Sequence, residues 1–256
     1  MPGRIIPVFR DFGIPVEVRH LYKGDEVPTD LDEVRVLIVL GGPMGVADIG
    51  KGEFPFLAKE VEVLRRLVAV DRPVLGICLG AQLLAHAAGA KVYPNAKPGA
   101  KPEEPATPMP EIGWGPVTFP FPGGTEPIVM GLMDGAPMLH WHFDTFDLPK
   151  LPAPPPPPAG APPGPPPPTG NVLIASTRAR RNQAFRFKNR LFGFQFHFEM
   201  DQEGIEALLA SRREDVSKVL GNGEKRIRED TTRFYARHAR LGDRILQNFV
   251  QFVKLY

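Results

Sequence analysis

The chain has 256 residues, 43% of them hydrophobic, and a formal net charge of +2, enough to bury a full core as one large α/β domain over residues 1–256. Its single cysteine excludes an internal disulfide and a cysteine-rich metal site. No apolar run approaches the roughly 18 residues of a membrane span, no charged-then-apolar leader opens the chain, and the near-balanced charge gives no reason to expect nucleic acid as a partner; the expected setting is a reducing cytoplasm, away from membranes.

Residues 4–12 read as a short helix, residues 15–21 as an alternating strand carrying Val16 and Val18, and residues 34–40 as a continuous apolar run of the kind found in buried parallel strands. A doubly wound sheet normally opens with a strand before its first helix, and too few residues precede Arg4 to make one. A sheet without that strand would have an open central slot with unpaired backbone groups, so the expectation is that the start lies upstream of Met1, or that a homologous chain or rearranged segment fills the gap.

Gly41-Gly42-Pro43-Met44-Gly45 follows the apolar run, at the carboxyl end of a strand, where open α/β sheets hold their ligands. Residues 54–70 have helical spacing (Phe56, Val61, Leu64, Leu67, Val68) and lead into Val74-Leu75-Gly76-Ile77-Cys78-Leu79-Gly80-Ala81-Gln82, a strand, a sharp turn and the start of a helix. Gly76 and Gly80 flank the cysteine with the spacing of a nucleophile elbow, where a side chain would collide with the tightly turned backbone. A lone cysteine is more often a small buried hydrophobe. Here the glycines and the strand-to-helix switch favour a nucleophile, with the free N–H groups and positive end of the helix facing the sulfur. The N–H groups of Leu79 and Gly42 then form a pair of oxyanion donors.

Residues 93–110 read as an exposed loop, and Glu111-Ile112-Gly113-Trp114-Gly115 opens a β-like region. Residues 138–146 bring His140, Trp141, His142 and Asp144 together on a strand-to-loop segment; two histidines from one strand do not make a metal site, and neither metal nor other cofactor is expected. Much of the excess of proline, 31 residues in all, lies in residues 152–168, a disordered insertion that as polyproline II would reach about 50 Å at roughly 3.1 Å per residue. Residues 171–176, 183–187 and 191–196 are strand-like, and the third runs into His197-Phe198-Glu199. Arg178, Arg180, Arg181, Arg186, Lys188 and Arg190 read as a solvated basic hairpin face. Residues 203–220 and 224–255 are amphipathic helices that pack on the domain, interrupted at Gly221-Asn222-Gly223.

Gly41-Gly42-Pro43, Gly76-Ile77-Cys78-Leu79-Gly80-Ala81-Gln82 and Gly193-Phe194-Gln195-Phe196-His197-Phe198-Glu199, in that order, resemble the class I (triad) glutamine amidotransferases. His140-Trp141-His142-Phe143-Asp144-Thr145-Phe146 and Asn182-Gln183-Ala184-Phe185-Arg186 look like the stand-alone, GMP-synthase-like branch. The resemblance implies a flavodoxin-like, mostly parallel sheet flanked by helices and lacking its first strand. It implies Cys78 as nucleophile, His197 as general base and then acid, and Glu199 as the carboxylate that orients the imidazole. It further implies glutamine as substrate, contacted by Gln82, Gly41 and the backbone around Trp141 and His142, and hydrolysed through a γ-glutamyl thioester with release of ammonia. Any acceptor-modifying synthetase would be a separate subunit. Phe198 stands where the family usually has proline, a change that removes no catalytic group. A γ-glutamyl hydrolase using the same triad and an inactive scaffold with a binding or regulatory role are the alternative readings.

Overall fold

The computed structural model describes residues 2–32, 34–96, 107–152, 170–221 and 223–254. A first short helix, α1 (Ile5–Asp11), precedes strand β1 (Leu37–Val39), helix α2 (Phe56–Ala69), strand β2 (Val74–Ile77) and helix α3 (Leu79–Ala87). Short strands β3 (Val92–Pro94), β4 (Glu111–Val117), β5 (Ala136–His142) and β6 (Asp144–Phe146) follow. The hairpin strands β7 (Asn171–Ala175), β8 (Ala184–Phe187) and β9 (Leu191–Phe194) then lead to helices α4 (Gln202–Ser211), α5 (Arg213–Leu220) and α6 (Gly223–Lys254).

The main sheet runs β1-β2-β9-β8-β7. Strands β1, β2 and β9 are parallel, whereas β8 and β7 extend the sheet as antiparallel neighbours. Its alternating side chains are shared between two apolar layers: Leu75, Ile77, Phe192 and Phe194 face α1 and α6, while Val39, Val74 and Leu191 face α2 and α3. The α/β class expected from the sequence is the one found. Strand β5 is buried along its whole length; it pairs with β4 and reaches the main sheet through a bridge from Leu139 to His197. A third apolar cluster joins Leu139 and Trp141 to Ile205, Leu209, Val216 and Ile227 of the last three helices.

Several local readings are corrected. Residues 15–20 have no regular secondary structure, and Leu21 to Lys23 form a 3₁₀ turn. Val16 and Val18 are 38% and 37% exposed, because alternation makes a strand only where a neighbouring ladder receives it. Among the described residues no strand precedes Leu37, and β1 is an edge of the sheet. The sheet is continuous from β1 to β7, so the expected open central slot is absent. The stretch from Tyr93 is not simply a loop either: β3 pairs with β6 and Asn95 is buried, while residues 97–106 lie outside the described residues. The expected single helix over 203–220 breaks at Arg212, whose backbone leaves the helical region.

The basic hairpin face is only partly solvated. Arg180 is buried and donates to Asn95 Oδ1 at 2.8 Å, Arg186 grips both oxygens of Glu126, and Lys188 Nζ reaches the Val68 carbonyl at 2.6 Å. Each cation is turned inward because an acceptor awaits it there. The proline-rich insertion, residues 153–168 of it, lies outside the described residues. Its flanks adjoin: Asn171 donates to the Pro149 carbonyl, and a Cβ on Gly170 would run into the Leu151 side chain.

Helix α6 carries Ile245, Leu246, Phe249, Val250 and Val253 into the core, the i, i+4, i+8 pattern of one buried stripe. Phe249 meets Phe192 edge-to-face at 6.1 Å. Phe249→Ala is expected to lower unfolding free energy by about 3–5 kcal/mol, read as a shift in the urea midpoint at unchanged slope; a change below about 1 kcal/mol would contradict this packing.

Candidate functional site

Strand β2 ends at Cys78, whose backbone takes φ +56° and ψ −113° before α3 begins. A non-glycine residue there is strained, and the turn is held from both sides. The Cys78 N–H donates to the Phe194 carbonyl at 2.8 Å, and the Cys78 carbonyl accepts from Ala81 and Gln82 at 3.0 and 3.2 Å. Both flanking glycines are sterically required. A Cβ on Gly76 would overlap the Gly80 carbonyl, and one on Gly80 would overlap the carbonyl of Val39.

The parallel register of β2 and β9 sets Ile77 beside Phe194, so the chain leaving β9 passes close to Cys78. Three residues later His197 is fixed by its N–H, which donates to the Leu139 carbonyl at 2.8 Å. His197 Nδ1 lies 2.7 Å from Glu199 Oε1, and Glu199 Oε2 accepts the Phe198 N–H at 3.0 Å. All three of Cys78, His197 and Glu199 are buried. Gly41, at the carboxyl end of β1, covers the pair: a Cβ there would lie 3.2 Å from both Cys78 Cβ and His197 Cε1. The same loop sets Gly42 beside the Leu79 side chain, and Leu79, as the first residue of α3, has no partner for its N–H within the helix.

Burial alone would push the His197 imidazole down, but Glu199 and the Cys78 sulfur outweigh it and raise it well above the usual histidine range. Burial likewise pushes Glu199 up, and His197 more than offsets this, leaving the carboxyl below its ordinary value.

Trp141 turns its carbonyl to Cys78 Sγ at 3.5 Å. Gln82 is buried and donates to Gln195 Oε1 at 3.0 Å and the Asp144 carbonyl at 3.4 Å, so it braces the wall of the site from below. The His142 ring lies elsewhere. It follows Trp141 along a strand and therefore leaves on the opposite face, where Nδ1 is 2.9 Å from the Asp144 carbonyl and 3.1 Å from Asn95 Nδ2. Its Nε2 stands 3.1 Å from Glu111 Oε2. Glu111 also accepts from Thr177 Oγ1 at 2.8 Å and from Gln183 Nε2. Burial raises Glu111, but His142, His140 and Thr177 dominate and hold it at about 2.

The carboxylate that gathers His140 and His142 is thus Glu111 rather than Asp144, whose carboxylate lies beside Gly45. Glu111, Gln183 and Gln195 have no assigned role in the sequence reading. The available signal for Glu111 was a lone acid at the start of an apolar β-like run, where a carboxylate needs a buried partner.

The family model of glutamine amidotransferase class-I matches residues 3–153. A glutamine amidotransferase-like protein of Salmonella typhimurium, YfeJ, is 26% identical over 221 residues, covering 86% of this chain and 79% of the relative. A GMP synthase [glutamine-hydrolyzing] of Porphyromonas gingivalis is 29% identical over 204 residues, 79% of this chain but 30% of that protein. Among solved structures, a glutamine amidotransferase of Thermotoga maritima superposes with a TM-score of 0.74 at 23% identity, covering 99% and 93% of the two chains. Another, from Methylobacillus flagellatus, gives 0.75 at 24%, covering 98% and 90%; these two show a shared fold.

The coupling of His197 to Glu199 has a definite sign. The raised imidazole contributes stability that is complete below its unfolded value of 6.5 and is lost as pH rises through the folded one. The lowered carboxyl contributes stability that is complete above its unfolded value of 4.5 and is lost as pH falls through the folded one. The stability gap between the wild type and Glu199→Gln should therefore be widest between pH 4.5 and 6.5 and narrow on the alkaline side, in urea titrations across pH. A pH-independent gap would disprove the pairing.

Proposed function

Since the chain belongs to the class I glutamine amidotransferase family, we propose that it hydrolyses the side-chain amide of glutamine at Cys78, with His197 and Glu199 completing the triad. The observation that carries this reading is the convergence of a cysteine on a strained strand-to-helix turn with a buried histidine held 2.7 Å from a carboxylate, both beneath Gly41.

The sulfur attacks the amide carbonyl carbon, and the thiol proton goes to His197. Negative charge builds on the carbonyl oxygen, where the N–H groups of Leu79 and Gly42 stabilise it. His197 returns its proton to the departing nitrogen, the C–N bond breaks, and ammonia leaves a γ-glutamyl thioester on Cys78. Water then adds to the thioester as His197 takes its proton, the C–S bond breaks, and glutamate is released with the thiol restored. Glu199 holds the imidazole in one orientation and stabilises its charged form. Gln82, Gly41 and the backbone at Trp141 and His142 shape the pocket for the amino-acid end of the substrate. The ammonia serves an acceptor carried by a separate synthetase subunit, by analogy with the GMP synthase relative, most of whose length lies outside the match.

The test is glutamate and ammonia release from glutamine by the purified chain, with intact-mass detection of the γ-glutamyl adduct. Cys78→Ala should abolish both, and His197→Asn should lower turnover by roughly 10²–10⁴. Turnover of γ-glutamyl peptides in place of glutamine would redirect the assignment to a hydrolase. A folded chain that forms no adduct with either substrate would refute the enzyme reading.

A further inference from the structure

The β4–β5 hairpin holds a second cluster of chemistry-bearing side chains, on the face of β5 opposite the Leu139 and Trp141 side chains. We propose that Glu111, His140 and His142 bind a divalent transition-metal ion, with Zn²⁺ the best fit, and that this ion ties the hairpin together behind the Cys78 strand end.

The first observation is convergence. Antiparallel pairing sets Glu111 directly opposite His142, and one ligand atom from each of Glu111, His140 and His142 lies within 4.8 Å of the others. A tetrahedral ion with Zn–N and Zn–O bonds of about 2.0–2.1 Å separates neighbouring ligand atoms by about 3.3 Å. The 3.1 Å between His142 Nε2 and Glu111 Oε2 already has that spacing, and His140 brings a ring nitrogen within 4.8 Å of both. Two histidines and a glutamate are a set that zinc uses, with the fourth position left to water.

The second observation is independent of the first. His140 is 3% exposed, yet neither of its ring nitrogens makes a well-formed hydrogen bond; against the ring lie the Gly115 backbone and the rings of Phe196 and His142. Buried imidazole nitrogens without partners are costly, and an ion among them would use their lone pairs.

The surroundings supply what metal ligands need. His142 Nδ1 faces the Asp144 carbonyl at 2.9 Å. Asn95 Nδ2, a donor, lies 3.1 Å from the same atom; with the ring N–H on Nδ1, directed at the carbonyl, the lone pair is on Nε2, towards Glu111, and this is the tautomer that an ion would select. Orientation of a ligating histidine by a backbone carbonyl is the usual outer support of a zinc site. The other carboxylate oxygen of Glu111 is steadied by Thr177 Oγ1 at 2.8 Å.

The placement gives the ion a purpose. Along β5 the residues alternate: Leu139 and Trp141 present carbonyls to the His197 N–H and the Cys78 sulfur, while His140 and His142 hold the ion. Binding would therefore lock the strand that spaces nucleophile and base, whether or not glutamine is the substrate.

The experiment uses untagged, chelator-treated full-length protein titrated calorimetrically with Zn²⁺ alone in a non-coordinating buffer, with thermal unfolding in parallel. The expected result is one Zn²⁺ per chain and a rise in Tm, both lost in Glu111→Gln, with affinity weakened about tenfold or more in Thr177→Ala. Co²⁺ added to the wild type should give the visible d–d absorption of a low-coordinate nitrogen and oxygen site, a readout that requires no variant to fold. Absence of this absorption, no uptake of Zn²⁺ by the folded wild type, or uptake unchanged in a folded Glu111→Gln protein would overturn the proposal. None of these readouts depends on turnover, so they stand or fall separately from the glutaminase assignment.

Discussion

The backbone kink at Cys78 is the constraint on which the rest of the site depends. A positive φ at a residue with a side chain costs about 1–3 kcal/mol, and it persists only because the neighbourhood leaves no alternative. Gly76 and Gly80 remove the atoms that would collide, and the Phe194 carbonyl pins the Cys78 N–H. The same pin joins β2 to the end of β9 and so sets how far the nucleophile lies from His197. The strain and the placement of the base are one arrangement, since the hydrogen bond that holds the turn also aligns the two strands.

Behind the base, the loop of His197, Phe198 and Glu199 is clamped rather than merely supported. The N–H of Arg4 donates to the Glu199 carbonyl at 2.8 Å, and the Arg4 side chain pairs with Asp243 of α6. A Cβ on Gly242 would overlap the Phe198 carbonyl, so α6 sits directly against the loop at a position that only glycine permits. Phe198 itself stacks edge-to-face on Phe194 at 5.0 Å. It also gives Glu199 Oε2 a backbone N–H at 3.0 Å, a donor that proline at this position would lack. The carboxylate here is therefore held on both oxygens, one by the imidazole and one by the loop's own backbone.

What could be read in advance follows from how local each signal is. The elbow was legible because its cause, the absence of Cβ atoms two residues to either side of Cys78, is written within five positions. Helix α2 was legible from the spacing of Phe56, Val61, Leu64, Leu67 and Val68, of which Val61, Leu64 and Leu67 are buried and Phe56 and Val68 half-buried. Residues 15–21 misled because alternation reports a preference for a ladder and not the presence of a neighbour. The break at Arg212 carries no glycine or proline, so nothing marked it. Glu111 is the clearest omission: its partner His142 is brought opposite by the register of β4 and β5, a long-range fact that no window around either residue contains. Asp144, two positions from His142, was the nearer acid in sequence but not in space.

The contact between Leu151 and Gly170, with Asn171 bonded to the Pro149 carbonyl, brings together the two points between which the proline-rich stretch is strung. The fold itself closes that gap. A flexible connection across such a gap has a closure entropy that grows only with the logarithm of its length, about 0.6 kcal/mol for each doubling. The chain can therefore gain or lose residues there with little thermodynamic consequence for β6 and β7, and the distance from Cys78 to His197, set on the far side of the sheet's hydrogen-bond ladder, is insulated from such changes. Length at this point is free to drift, while a single methyl group at Gly76 or Gly80 is not tolerated.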